Sequence, residues 1–194
     1  VNSLALVNGK PKLMTIKEFI HHFIEFRKEI IRNRTRHDLG KARDRAHALI
    51  GLAVAVANVD QIIEIIKSSK DPNEARTSLL KTKWLSKDID DLLKLVDDPR
   101  QIKNEKEIYL TDEQAKAILE LRLQRLTQIG VKEVTEELQT LSKKIKEYLA
   151  ILGSREQIMS IIMTELNEVK EQFAVPRRTE IVEWSGDMED EDLI

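Results

Sequence analysis

The chain has 194 residues, enough for one or two compact domains, and a formal net charge of −2, which excludes a global electrostatic attraction to nucleic acid or anionic lipid. The absence of cysteine excludes disulfides, a thiol nucleophile and thiolate metal sites. Charged residues at 34% and aromatic residues at 4% are typical of a helical, elongated protein with much exposed surface.

Residues 1–15 are predicted to form a β-hairpin, because Asn8-Gly9 favours a type I′ turn. Thr15 and Glu18 have the spacing of a capping box, which starts a long helix. Its apolar residues recur in steps of three and four, which is typical of a helix packed along another helix. These residues form two runs: Ile16, Phe19, Phe23, Phe26 and Ile30, followed by Leu39, Ala42, Ala46, Leu49, Ala53 and Val56.

Residues 16–57 and 131–173 carry matching heptads and are predicted to form one antiparallel two-helix coiled coil. Each arm would be about 60 Å long at about 1.5 Å per residue. The spacing is lost between Arg32 and Gly40, where we expect local unwinding or a bend, and Gly153 interrupts the returning arm. Gly40 and Gly153 are therefore the candidate hinges.

Residues 58–130 are predicted to form a small helical globular tip. Helices are expected over 58–67, after the Asp71 N-cap, and after Ser86, whereas the polar residues 100–110 indicate a loop. Thr111 to Gln114 is a second capping box, opening a helix through Leu126. The fold class is thus mainly α: a long coiled coil with a helical tip and a short β base formed by the N- and C-terminal segments.

The C-terminal segment is expected to return to the base. Residues 174–185 contain an alternating stretch, which we predict to be a strand beside the N-terminal hairpin. Residues 186–194 are acidic and indicate a flexible linker toward a further C-terminal domain. Because the chain does not begin with Met, we expect it to be a piece of a larger polypeptide.

No constellation typical of catalysis is present. The histidines His21, His22, His37 and His47 lack metal-ligand spacing, and the glycines are scattered singly. We therefore expect no catalytic, cofactor-binding or metal residues. A basic stretch could track a DNA backbone, or it could be the solvated outside of the coiled coil, paired with acids of the second arm. Its candidate residues are Arg27, Lys28, Arg32, Arg34 and Arg36.

The helix from Ala115 to Leu126 is apolar on more than one side. This favours burial against a second copy of the chain, since two-fold association is the commonest arrangement. Alternatively, the tip alone is large enough to bury the helix. The candidate dimer-interface residues are Ala115, Ile118, Leu119, Leu121, Arg122, Leu123 and Leu126.

Several strings resemble the A subunits of bacterial DNA gyrases, which are type IIA DNA topoisomerases, in the same order and over essentially the whole chain. They include Leu4-Ala-Leu-Val-Asn-Gly-Lys-Pro-Lys, Lys41-Ala-Arg-Asp-Arg-Ala-His47, Ala55-Val-Ala-Asn-Val-Asp60, Tyr109-Leu-Thr-Asp-Glu-Gln-Ala-Lys-Ala-Ile-Leu119, Leu121-Arg-Leu-Gln-Arg-Leu-Thr127, Ile151-Leu-Gly-Ser154 and Arg177-Arg-Thr-Glu-Ile181. The closing Glu191-Asp-Leu-Ile194 favours gyrase over topoisomerase IV. One departure is Ile50, where the family usually has an acid.

The resemblance implies a mechanical role: two arms whose tips meet as a homodimer and form the exit gate for the transported duplex. It also implies an ATP-dependent parent enzyme that negatively supercoils DNA, as an A2B2 complex whose B subunit supplies ATP and Mg²⁺ sites. The family's nucleophilic tyrosine lies upstream, and Tyr109 and Tyr148 stand in other contexts, so this part alone is expected to be inactive. A bacterial cytoplasmic, chromosome-associated protein without membrane contact is expected.

Two readings from other classes stay open. The first is a DNA-backbone-binding coiled-coil module that uses residues 27–45. The second is a passive scaffold, a monomeric strut without a gate.

Overall fold

The computed structural model describes residues 3–85, 96, 98–104, 107–120 and 131–182. Over these residues the chain is mainly helical, as predicted, and α1 alone has 42 residues. The elements in chain order are β1 (Leu4–Val7), β2 (Lys10–Leu13), α1 (Ile16–Ala57), α2 (Val59–Ser68), α3 (Pro72–Lys81), β3 (Trp84–Leu85), β4 (Ile102–Asn104), β5 (Glu107–Tyr109), α4 (Asp112–Glu120), α5 (Val131–Gly153) and α6 (Arg155–Phe173).

The start of the chain follows its sequence signals closely. Asn8 and Gly9 have φ angles of 51° and 76°, so they supply the two left-handed residues that a type I′ turn requires. β1 and β2 pair antiparallel. The Thr15 side chain accepts a hydrogen bond from the Glu18 amide while Glu18 accepts one from the Thr15 amide, which confirms the capping box.

The two arms run antiparallel. Arg45 of α1 bonds Glu137 of α5, whereas Arg34, earlier in α1, bonds Glu165 of α6, later in the chain. The residue numbers in α1 fall from 45 to 34 while those of the bonded partners rise from 137 to 165, so the two arms must run in opposite directions. The predicted antiparallel arrangement of these segments is therefore confirmed.

The seam between the arms differs from the prediction near the base. Leu39, Ala42, Ala46, Leu49 and Ala53 are buried as expected. The earlier run is exposed instead, from 37% at Ile30 to 75% at Ile16. Ile31 and Thr35 take the seam positions, because the side of α1 that faces α6 lies one residue further along.

The local unwinding predicted between Arg32 and Gly40 is not found, since α1 is one continuous helix through both residues, and the bend and the hinge at Gly40 stay predictions. Thr35 is buried between Ile31 and Leu39, so the buried side of α1 continues through the polar stretch. The returning arm does break where expected: α5 ends at Gly153, and Ser154 caps α6 by accepting a hydrogen bond from the Gln157 amide at 3.2 Å.

The tip encloses the largest core. Leu49 to Ala55 of α1 are all buried, as the continuous apolar run predicted, and they pack with residues from α2, α3 and α4. The loop predicted over 100–110 is wrong: β4 and β5 pair there, and β3 completes a three-stranded antiparallel sheet. Ile108 and Trp84 are buried on this sheet, so two apolar side chains anchor a stretch whose composition is polar.

The predicted return strand is not formed over the described part of 174–185. Residues 174–182 are exposed and carry no ladder hydrogen bonds, and an isolated strand has nothing to satisfy its backbone groups. Within the described residues, the β base therefore consists of the N-terminal hairpin. The helix predicted after Ser86 falls largely outside the described residues, and the acidic segment 186–194 falls entirely outside them.

Among the residues that the structure describes, no single helix is long and apolar enough to cross a membrane. Only α1 and α2 taken together reach that length and hydropathy, and they are bent by 92° relative to each other.

Candidate functional site

A polar cluster lies where the first arm enters the tip. His47 of α1 is 1% exposed, and its ring bonds two separate segments. Nδ1 lies 2.8 Å from an Asp98 carboxylate oxygen, and Nε2 lies 2.6 Å from the Thr111 hydroxyl. One side chain thus joins α1 to the segment before β4 and to the N-terminus of α4.

Arg100 closes the outer side of this cluster. Its guanidinium donates to both Asp98 carboxylate oxygens, to Asp44, and to the backbone carbonyl of Arg43. Burial raises the pKa of Asp98, but the side-chain and backbone hydrogen bonds from Arg100, together with the electrostatic influence of the nearby His47 and Arg100, outweigh it, so the pKa stays below its ordinary value. Asp98 is therefore a buried, compensated carboxylate.

Gln114 makes the second connection between α1 and α4. Its side-chain amide donates to the carbonyl of His47 at 2.9 Å and to Gln101 at 2.6 Å, and its oxygen accepts the Thr111 amide at 3.0 Å. Gly51 makes room for it, because a Cβ built there would lie 2.7 Å from the Gln114 Cβ. Only a glycine lets the two helices approach this closely.

The order Asp98–His47–Thr111 resembles that of a hydrolytic triad, but its surroundings are those of a structural cluster. The Thr111 hydroxyl also accepts the Gln114 amide as part of the α4 cap, and His47 is sealed from solvent. The histidine of such a triad must pass its proton to the leaving group of the substrate, which a ring sealed from solvent cannot reach. The geometry therefore supports positioning rather than catalysis.

The predicted interface residues divide into three groups. Ala115 and Ile118 have no exposed surface and face the tip core. Their assignment to the dimer interface is corrected, because their side chains are buried within this chain. Leu119 is half-buried beside the same core. Leu121, Arg122, Leu123 and Leu126 lie outside the described residues.

Most side chains of the basic stretch form ion pairs or hydrogen bonds with other residues of the two arms. Glu165 of α6 binds both Arg27 and Arg34, and these bonds, Arg34 first, hold its pKa below the ordinary value. Lys28 is 5% exposed and bonds Glu25 at 2.5 Å, so placing it in a DNA-contacting patch was wrong. Arg36 bonds Asn33, and Arg32 lines a groove at the base.

Sequence reasoning missed the cluster around His47, although a polar residue inside an apolar helical stretch was a usable signal. The partners Asp98 and Thr111 are 51 and 64 residues away in the sequence, so no local spacing indicates them. Within the described residues, no group of three or more His, Asp or Glu side chains is placed to hold a metal ion.

Comparison with known proteins gives one consistent result. The family of DNA gyrase/topoisomerase IV A subunits matches residues 1–167. The DNA gyrase A subunit of Rickettsia bellii is 49% identical over 98% of this chain, and that of Haemophilus influenzae is 44% identical over 100%. The chain spans only 21% and 23% of the length of these two relatives. With a family match over most of its residues and relatives this similar, the chain belongs to the family of DNA gyrase/topoisomerase IV A subunits.

Proposed function

We propose that this chain is the coiled-coil and exit-gate region of a gyrase A subunit. In this role the two arms hold the tip away from the remainder of the enzyme, and two tips meet across a two-fold axis. The single observation that carries the proposal is the pair of antiparallel arms ending in a tip whose core is the largest in the described chain.

The dimer contact is proposed on the outer side of α4 and on the residues that follow it. On the inner side of α4, Gln114, Ala115 and Ile118 are buried against the rest of the tip. Leu119 remains half-buried, and the predicted residues Leu121, Leu123 and Leu126 would complete an apolar contact. Such a contact can open and close without breaking the tip core, because the two sides of the helix serve different partners.

The remaining assignments follow from family membership and are part of the same proposal. The parent enzyme passes one duplex through another, with ATP hydrolysed and Mg²⁺ bound by a B subunit in an A2B2 complex. Gyrase is favoured over topoisomerase IV by the C-terminal string at 191–194 and by the two relatives, which are both gyrases. The chain itself acts mechanically.

Sedimentation equilibrium tests the proposal. The chain should have a mass near twice 22.4 kDa at micromolar concentration. A Leu121→Glu/Leu123→Glu variant should fall to one chain, because two buried carboxylates cannot be accommodated in an apolar contact. A Gln139→Glu/Thr164→Glu variant adds the same charge at exposed positions on the arms and should remain dimeric.

A wild-type chain that stays monomeric at every concentration would overturn the claim that the tip closes the gate by itself. A dimer in both variants would move the contact away from the residues after α4.

A further inference from the structure

The hydrogen bonds around His47 form a closed circuit between two helices. The His47 ring contacts the Thr111 hydroxyl, that hydroxyl accepts the Gln114 amide, and the Gln114 side chain returns to the His47 carbonyl. Every link crosses between α1 and α4 or lies in the α4 cap. His47 and Gln114 are buried, so water does not compete for the bond between them, and Thr111 is half-buried beside them.

The circuit is also anchored from outside. Asp98 holds Nδ1 of His47, and Arg100 holds Asp98 together with Asp44 of α1. This second tether fixes the ring orientation, and hence the direction in which Nε2 meets Thr111. No buried side-chain polar atom of the described residues lacks a hydrogen bond, so removing one partner from the cluster leaves another without its bond.

We propose that His47 is a positioning residue that locks α4 to α1, so that the arm and the tip helix move as one body. Apolar packing alone allows a helix to slide or rotate against its neighbour, whereas a directional circuit does not. This inference deepens the proposed function, because the helix it positions is the one proposed to carry the dimer contact.

Two conservative variants separate the two bonds of the ring. Asparagine places its amide near the position of Nδ1 and can keep the Asp98 contact, whereas glutamine reaches the position of Nε2 and can keep the Thr111 contact. His47→Leu removes both. His37→Leu, at an exposed position of the same helix, is the matched control.

The test is amide hydrogen exchange of the whole chain, read separately for α4 and for α2 with α3. His47→Leu and His47→Asn should speed exchange in α4 by about fivefold to tenfold or more, with α2 and α3 nearly unchanged, since leaving one partner of a hydrogen bond unsatisfied is worth a factor of that order. His47→Gln and His37→Leu should leave α4 protected. The dissociation constant of the dimer should rise in parallel with α4 exchange.

Unchanged α4 exchange in His47→Asn, or equal acceleration of α2, α3 and α4, would overturn the proposal, since the residue would then be a general core residue. If His47→Leu does not fold, the asparagine and glutamine variants still decide. A monomeric wild-type chain would count against the proposed gate contact alone, because the exchange comparison does not depend on dimerisation.

Discussion

The two halves of α1 carry apolar residues at similar heptad spacing, yet their surroundings are opposite. Near the tip, Leu49, Ile50 and Val54 are at most 2% exposed and are enclosed by several elements. Near the base, Phe19, Phe23 and Phe26 are 43–58% exposed and line an open groove of about 600 Å³ beside the hairpin. We therefore expect most of the stability of the described chain to come from packing at the tip. A heptad pattern alone does not indicate which element, if any, buries its apolar residues.

The strongest way to test this contrast is to truncate one residue in each half. Leu49→Ala should lower the free energy of unfolding by about 2–5 kcal/mol, because it leaves a cavity in a closed core. Phe23→Ala should cost about 1 kcal/mol or less, since Phe23 is 43% exposed. Urea unfolding followed by circular dichroism measures both, and equal losses would contradict the division of α1 into two halves.

The two glycines inside α1 sharpen the contrast. Gly51→Ala should destabilise the chain by about 1–3 kcal/mol, because the added methyl would lie 2.7 Å from the Gln114 Cβ. Gly40→Ala meets no atom within 4 Å and should stabilise the helix by up to about 1 kcal/mol. Thermal unfolding of the two variants should shift in opposite directions. A loss of stability in Gly40→Ala would show that α1 needs that glycine.

A smaller difference is expected between the ion pairs that join the arms. Glu165→Gln releases two arginines and should cost about 1 kcal/mol, whereas Glu137→Gln releases Arg45 alone and should cost about half as much. The free energy of unfolding in low and high salt measures both. Glu165 should matter more because its side chain is 26% exposed against 43% for Glu137, and it pairs with two guanidinium groups rather than one. Losses in the free energy of unfolding that are equal in low and high salt would contradict an electrostatic origin.

The smallest effect concerns the first turn of α1. The amide and hydroxyl of Thr15 and the charge of Lys12 lower the pKa of Glu18 from 4.5 to about 2. The cap therefore contributes fully above pH 4.5 and is lost as the pH falls toward 2. Carboxyl NMR titration should show this depressed pKa in the wild type and a partly raised pKa in Thr15→Ala, which loses the hydroxyl but keeps the backbone amide and Lys12. An unchanged pKa in that variant would contradict a contribution of the Thr15 hydroxyl.

Local signals were predictable because neighbours in sequence create them. Asn8-Gly9, the Thr15 and Thr111 capping boxes, the Asp71 cap and the break after Gly153 all depend on residues within four positions of each other. The arms were predictable as helices because their pattern extends over many turns. The family resemblance also came from contiguous strings.

The errors share a different origin. Ile30 and Ile31 are both apolar, so only the position of α6 decides which one enters the seam. Ala115 and Ile118 face inward because α1 lies against them, and Ile108 forms a strand because Trp84 pairs opposite it. The His47 cluster likewise requires three distant segments to meet. Such features depend on tertiary contacts that heptads and capping boxes do not encode.

The break at Ser154 affects the rotational phase of the arms. A straight helix drifts by about 20° per heptad against a strict seven-residue repeat. α1 compensates within one helix, where Ile31, Thr35 and Leu39 follow at two successive steps of four. The returning arm instead starts a new phase at α6, so angular error from α5 does not accumulate toward the base. Each of its two segments thus keeps its own orientation toward α1.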